Sequence, residues 1–450
     1  MPKQAIRFLK QLQMHSSSID LDACLADFLA QMHAGLGGQD RSSLQMLPTY
    51  LHPSGNAQGA ASAAALRANQ AVIVLDAGGT HLRVGLVSFD RQGTPAVTQA
   101  ASYPMPGATT ALDTPAFFAA LAAHLKPLLP QSGRIGLCFS YSAAITPDLD
   151  GRVCALSKEL QVTGLSGTLL SPALNRAILA IGQSPKRCVV LNDTAAATLG
   201  TAAAFPDIPP HRLAGLVLGT GTNACYSEDC AAISGLPACP PRSGRMLVNL
   251  ESGNYNGLPR GEIDRELDAE TARPGHAQLE KMIGGAYQGN TVFRTIQRAA
   301  EYGLFSAAFV DSLSGCGGFS MADLDHFCDV PAAGSLLADL CATPADRARL
   351  LAIVQNSYER TARIIAVMLV ALAQKSGAKS SDNTPFYVAI EGSTIQKSRL
   401  LRDRLAHYCT SWINETYGID CRLLCAPPNA TLLGAAIAAL QPGLSLPTAP

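Results

Sequence analysis

Two glycine-bearing hairpins, far apart along the chain, restrict the possible folds more than any other feature of this sequence. AVIVLDAGG, from Ala71 to Gly79, reads as a buried strand that ends in a glycine turn, and HLRVGLVSFD resumes at once with β-type residues. Val72–Leu75 and Leu82–Phe89 should therefore pair around a turn carrying Asp76, Gly78, Gly79 and Thr80. Far downstream, GLVLGTGTNACYSE sets two more apolar runs on either side of Gly219, Thr220, Gly221 and Thr222. The same device used twice implies two similar halves.

Between the hairpins, the strand candidates Ile135–Phe139 and Cys188–Leu191 are each followed by polar residues and then helix-forming sequence, the alternation of an α/β fold. A small, polar connector from Gly55 to Gln70 leads into the first hairpin. Beyond the second come a Pro/Cys-rich loop near Pro237–Pro241, helical segments around Leu279–Tyr302 and Asp346–Lys375, a last strand at Phe386–Ile390 and an alanine-rich helix from Thr431. The 450 residues exceed the roughly 250–300 at which a single core stops growing, so two domains are expected.

Composition narrows the partners. Lys+Arg and Asp+Glu balance at 34 each, and 48% of residues are hydrophobic against 15% charged, so neither disorder nor a basic footprint for nucleic acid is indicated and the partner should be small. The N-terminus reads as a short amphipathic helix rather than a secretory signal. Ala362–Ala373, the strongest apolar stretch, is shorter than the roughly 18–20 residues that span a bilayer and should be a buried helix, so no membrane role is expected. The 13 cysteines form no C-x-x-C pair and the histidines never take the spacing of a zinc site; reduced thiols in a cytoplasmic protein are the expectation.

Glycine turns let backbone N–H groups reach phosphate oxygens that a Cβ would hold away. Either turn alone would read as an ordinary hairpin; together, with Asp76 placed to hold Mg²⁺ directly or through water and Arg83 placed to pair with phosphate, they suggest a nucleotide cradle. VVLNDTAAATLG puts Asn192 and Asp193 where a strand ends and a helix begins, the position at which open α/β sheets bind ligands. Asp193 there either caps the helix or accepts a proton from a bound hydroxyl, and Thr194 is a further capping candidate. Ser140, Ser157, Lys158, Asn223, Glu251 and Glu280 are each ordinary as surface groups. Together they supply the carboxylates, amides and cation that sugar recognition uses, because each ring hydroxyl is both donor and acceptor.

These segments resemble the hexokinase family of the actin-like ATPase fold, in order and over nearly the whole chain. LDAGGTHLRVGLV resembles its first phosphate motif and LGTGTNACY from Leu218 its second, with MLPTY at Met46–Tyr50 ahead of them. FSYS at Phe139–Ser142, SKEL at Ser157–Leu160, LNDTAAAT from Leu191, VNLESGNY from Val248 and RPGHAQLEKMIGGAYQGN from Arg273 resemble its sugar-binding segments. The resemblance implies that Ser157, Lys158, Asn192, Asp193, Asn223, Glu251 and Glu280 hold a hexose, with Ser140 beside them, Asp193 as catalytic base and Lys158 also stabilising charge on the transferred group. It implies that Asp76 serves Mg²⁺, that Gly78, Gly79, Thr80, Arg83, Gly219, Thr220, Gly221 and Thr222 embrace the phosphates of ATP, and that Gly392 and Ser393 border the adenosine.

The chain departs from the family pattern at Ser157-Lys158-Glu159-Leu160 for Thr-Lys-Gly-Phe, at Ser142 for proline, and at Glu251-Ser252-Gly253-Asn254-Tyr255 for Glu-Trp-Gly-Ala-Phe. It also lacks the Cys-rich zinc segment of the repressor-type bacterial glucokinases. The expectation is a two-domain α/β fold of the actin-like ATPase (ribonuclease H-like) type. Residues 1–59 form a helical segment and connector, 60–195 a small domain completed by 431–450, and 196–430 a large domain, with a sugar cleft that closes on binding. The expected activity is ATP-dependent phosphorylation of a hexose, glucose foremost, at the 6-hydroxyl, by a monomer or homodimer. A catalytically silent hexose sensor and an actin- or chaperone-like ATPase are the alternatives.

Overall fold

The computed structural model describes residues 2–39, 41–52, 67–79, 81–154, 160–234, 236, 244–329, 334–379 and 384–441. Thr80, Ser157 and Lys158, the Pro237–Pro241 loop and the connector up to residue 66 lie outside the described residues.

Eleven strands build the two main sheets: β1 (Leu47–Pro48), β2 (Ala71–Ala77), β3 (His81–Phe89), β4 (Pro95–Pro104), β5 (Arg134–Phe139), β6 (Arg187–Leu191), β7 (Leu213–Leu218), β8 (Thr222–Asp229), β9 (Arg245–Asn249), β10 (Phe386–Glu391) and β11 (Cys421–Cys425). The five-stranded sheet has the order β6-β5-β2-β3-β4 and the six-stranded one β1-β9-β8-β7-β10-β11. Leaving aside the edge strand β1, both follow one plan. Three strands meander antiparallel, and two more join parallel on the far side of the first. The two similar halves expected from the repeated hairpin are therefore present as two sheets of the same topology.

Alternation along β2 explains its central place. Ile73 and Leu75 point into one core and Val72 and Val74 into another, so the strand is buried on both faces, as a parallel-paired strand must be. On the outer side of the five-stranded sheet, helices Thr114–Leu125 and Leu170–Ala180 complete the first core. The six-stranded sheet packs on a larger core that includes α1 (Pro2–Gln11) and α2 (Leu21–Leu36).

Four further helices matter for the site. They are α3 (Asp193–Ala204), α4 (Glu262–Glu270), α5 (Gln278–Ile283) and α6 (Gly285–Glu301). The helical segment expected over Leu279–Tyr302 is thus two helices, parted at Gly284, whose extended φ/ψ ends one and starts the other. Next comes α7 (Pro344–Lys375), which opens on a capping box: Thr343 Oγ1 accepts from the Asp346 N–H, and the Asp346 carboxylate accepts from the Thr343 N–H. Its Ala362–Ala373 stretch is buried, and no described helix is long and apolar enough to cross a membrane.

The last helix, α8 (Ala430–Ala439), follows β11 as α3 follows β6, and the two exchange sheets. α8 packs on β2, β5 and β6, whereas α3 packs on β7, β8 and β9. The two helices cross at glycines. A Cβ on Gly200 would stand 2.0 Å from the Ala430 carbonyl oxygen, and one on Gly434 would stand 1.8 Å from that of Ala196. Together they form the core between the two sheets.

Candidate active site

Both hairpins bring their turns to the seam between the sheets. In the first, Asp76 and Arg83 are register partners on β2 and β3. Arg83 donates from Nε to Asp76 Oδ2 at 2.9 Å, adds a shorter bond from a terminal nitrogen, and reaches Thr431 Oγ1 of α8 at 2.7 Å. The buried Asp76 and the partly exposed Arg83 thus hold each other. The Tyr141 hydroxyl donates to the carbonyls of Gly78 and Gly79 at 3.0 and 3.2 Å, fixing the turn from beneath.

The second turn is held by backbone. Gly285 and Ala286, at the start of α6, donate their N–H groups to the carbonyls of Gly219 and Thr220 at 2.8 and 3.1 Å, and Thr394 Oγ1 donates to Gly219 O at 2.8 Å. Glu280 Oε2 accepts from the Thr222 N–H at 3.2 Å. Gly221 leaves room for that carboxylate, since a Cβ there would lie 2.2 Å from Glu280 Oε2. Gly392 closes the seam with φ +104, and a Cβ on it would stand 2.4 Å from the Leu218 carbonyl. Ser393 begins the short helix that follows.

Asp193 stands between the turns as the first residue of α3. The cap is Asn192, whose Oδ1 accepts from the Thr194 N–H at 2.8 Å; Thr194 lies inside the helix and is not the cap. Asp193 Oδ1 accepts from the same N–H at 2.7 Å, and Ser140 also hydrogen-bonds the carboxylate. Burial raises the Asp193 pKa, the nearby Asp76 raises it further, and the bonds from Ser140 and Thr194 oppose both.

A line of amides joins Asp193 to the carboxylates beyond it. Asn223 Nδ2 donates to Asn192 Oδ1 at 3.3 Å and to Asn249 Oδ1 at 2.7 Å, and Asn249 Nδ2 donates to Glu251 Oε1 at 2.8 Å. Glu251 sits in the left-handed region at φ 53, and its pKa is pushed up to about 6 by burial, with Asp193 and Glu280 adding and Asn249 opposing. Asn192, Asp193, Asn223, Glu251 and Glu280 therefore share one polar surface, with Ser140 beside Asp193.

Three residues not singled out from the sequence belong here. Asn249 is the buried link between Asn223 and Glu251. Tyr141 braces the first turn. Glu391, which ends β10 opposite Val217, feels Asp193 and Asp76 on one hand and Arg83 on the other; burial, the largest effect, brings its pKa to about 7, and its Oε2 is buried without a hydrogen-bond partner. Asn249 and Tyr141 lay within the motifs VNLESGNY and FSYS, and Glu391 directly follows the strand expected at Phe386–Ile390. The signal for them was their position at or beside a strand end.

Asp76 is a carboxylate near the end of β2, two residues ahead of Gly78 in the first glycine turn. Among the described residues no group of three or more His, Cys, Asp or Glu clusters as a metal site. A Mg²⁺ ion that keeps most of its waters and binds through one carboxylate and the phosphates fits such a donor set.

Two sequence profiles of the hexokinase family match the chain, at residues 5–203 and 213–441. Among curated proteins, Hexokinase-1 of Schizosaccharomyces pombe is 27% identical over 92% of this chain and 86% of its own length. Hexokinase-9 of Oryza sativa is 30% identical over 65% of this chain and 59% of its own length. Hexokinase from Schistosoma mansoni, solved with glucose, superposes with a TM-score of 0.78 at 20% identity, covering 97% of this chain and 98% of that one.

Proposed function

Since the chain belongs to the hexokinase family, a premise fixed by the paired profiles, we propose that it transfers the γ-phosphoryl group of ATP to the 6-hydroxyl of a hexose, with Asp193 as the base. Glucose, the ligand of the Schistosoma mansoni structure, is the hexose proposed. The observation that carries the reading is the placement of Asp193. Among the described residues it is the carboxylate that opens a helix, hydrogen-bonds Ser140 and lies within electrostatic reach of both Asp76 at the first turn and Glu251 on the amide line.

In this reading Asn192, Asn223, Glu251 and Glu280 bind the ring hydroxyls, donors and acceptors alternating as a polyol requires. Asn249 keeps Glu251 and Asn223 in register by bonding to both. Ser140 and the Thr194 N–H fix the Asp193 carboxylate, which accepts the proton of the attacking hydroxyl; its raised pKa brings it nearer the working pH, where a general base is most effective. The turns at Gly78 and Gly79 and at Gly219–Thr222 flank the phosphates, their shape kept by the N–H groups of Gly78, Gly219 and Thr222, which donate to His81 O, Gly221 O and Glu280 Oε2; Gly392 and Ser393 border the adenosine, and Arg83 gives phosphate an adjacent guanidinium. Thr80, Ser157 and Lys158 join these as the family resemblance implies. Mg²⁺, when bound at Asp76 with the nucleotide, would neutralise phosphate charge and orient the transferred group. Closure of the two sheets on the sugar would exclude the water that competes with it.

The test is ADP release across a hexose panel, with and without Asp193→Ala. Release by wild type should require hexose, and the substitution should lower kcat by about 10²–10⁴-fold while hexose still binds. A variant keeping more than roughly a tenth of wild-type kcat overturns the base assignment. Hexose-independent release marks an ATPase, and hexose binding without release marks a sensor.

A further inference from the structure

α5 presents two faces to different surroundings. On one, Glu280 meets the second turn at the Thr222 N–H. On the other, Lys281 and Met282 wall a cavity of about 210 Å³ enclosed by α4, α5 and α6, away from the amide line and both turns.

The charged groups that line the cavity are already paired. Asp264 pairs with Arg360, Glu270 with Arg294, and Asp268 with both Arg260 and Lys281. The Lys281 ammonium donates to Asp268 Oδ1, Thr271 Oγ1 and the Arg273 carbonyl, so its three hydrogens are used. A charged ligand would find no free counterion here. The polar residues Thr271, Gln278 and Thr291 donate to the carbonyls of Asp268, Gly275 and Tyr287, the apolar wall is Leu267, Met282 and the Tyr287 ring, and at the exposed rim stands Asn290, whose side-chain amide hydrogen-bonds no described residue.

We propose that this cavity is a regulatory site for a compact, uncharged ligand with a flat apolar body and one hydrogen-bonding end, of the aromatic-amide kind. The apolar wall takes the body and Asn290 the polar end. The link to the reaction is mechanical and rests on the phosphotransfer reading above. Three residues of chain separate Glu280 from Gly284, and the next two N–H groups, of Gly285 and Ala286, hold the second turn. Pressure on Met282 therefore bears at once on a sugar carboxylate and on a phosphate turn.

The experiment titrates benzamide into the full chain, followed by NMR, with benzoate and benzylamine as charged counterparts of the same shape. Asn290→Phe closes the mouth from an exposed position, and Leu267→Phe fills the wall as an independent block. Saturable binding of benzamide is expected, at least about tenfold weaker for the charged analogues and for either variant. Saturating benzamide should change the hexose dissociation constant, measured without nucleotide, by about threefold or more, and Asn290→Phe should abolish that change while leaving basal activity as in wild type. Failure of the phosphotransfer reading would show only in ADP release, because ligand and hexose binding are both read directly. Absence of benzamide binding, equal binding by the charged analogues or by both variants, or bound benzamide that leaves hexose affinity unchanged overturns the proposal.

Discussion

The two glycine hairpins do the same job with different physics. The first is closed by side chains: an ion pair across the register, a tyrosine hydroxyl beneath the turn and a threonine of α8 on the arginine. The second contains no charge of its own and is closed by backbone N–H groups of α6, by Thr394 and by a carboxylate standing where a Cβ would be. One turn is therefore sensitive to charge and the other to volume.

Substitutions that act on one hairpin and spare the other probe this contrast. The largest effect is expected for Gly221→Ala, whose Cβ would collide with Glu280; kcat/KM should fall by about 100-fold or more in steady-state assays, whereas Gly78→Ala, where the nearest atom is 3.2 Å away, should cost less than about tenfold. A reversed order would refute the assignment of volume to the second turn. Next, Asp76→Asn should reduce kcat/KM for ATP by about 10–100-fold and steepen its dependence on Mg²⁺ concentration; unchanged behaviour at limiting Mg²⁺ would remove Asp76 from the metal.

Glu391 lies between the hairpins and tests their shared electrostatics. Its folded pKa of about 7 exceeds the ordinary value of 4.5, so the folded chain favours the protonated acid. The stabilisation is complete below pH 4.5 and is lost as pH rises through about 7. Urea titrations should show wild type losing about 2 kcal/mol more than Glu391→Gln between about pH 5 and 8. Equal losses would mean that water reaches the carboxylate. The smallest effect belongs to Thr431→Val, which removes one acceptor from Arg83 and should change kcat/KM by less than about fivefold.

Local pattern announced much of this. Alternating apolar residues and glycine turns marked β2, β3, β7 and β8, and Asn192-Asp193 marked the junction of β6 and α3 because a strand end followed by small helix formers has few other readings. The sequence did not announce how α3 and α8 trade sheets, since the α8 half of that exchange depends on contacts between segments more than 200 residues apart. Nor did it separate α5 from α6, because Gly284 costs a helix only about 1 kcal/mol and tertiary bonds decide the break. Asn249 escaped notice because its role exists only once β8 and β9 are paired. The departures from the family pattern leave marks. The hydroxyls of Ser142 and Ser252, which stand for proline and tryptophan, are buried without partners, whereas Tyr255, in place of phenylalanine, uses its hydroxyl to reach Asp27 of α2 at 2.6 Å. The charged and amide residues proposed to hold the sugar match the family pattern, while the packing behind them differs.

The crossing of α3 and α8 sets how near the two sheets can lie. Gly200 and Gly434 let backbone meet backbone at the crossing, while Leu199, Leu432 and Ile437 fill the core beside it. Any side chain introduced at either glycine would act as a wedge, pushing the helices apart and changing the angle between the sheets.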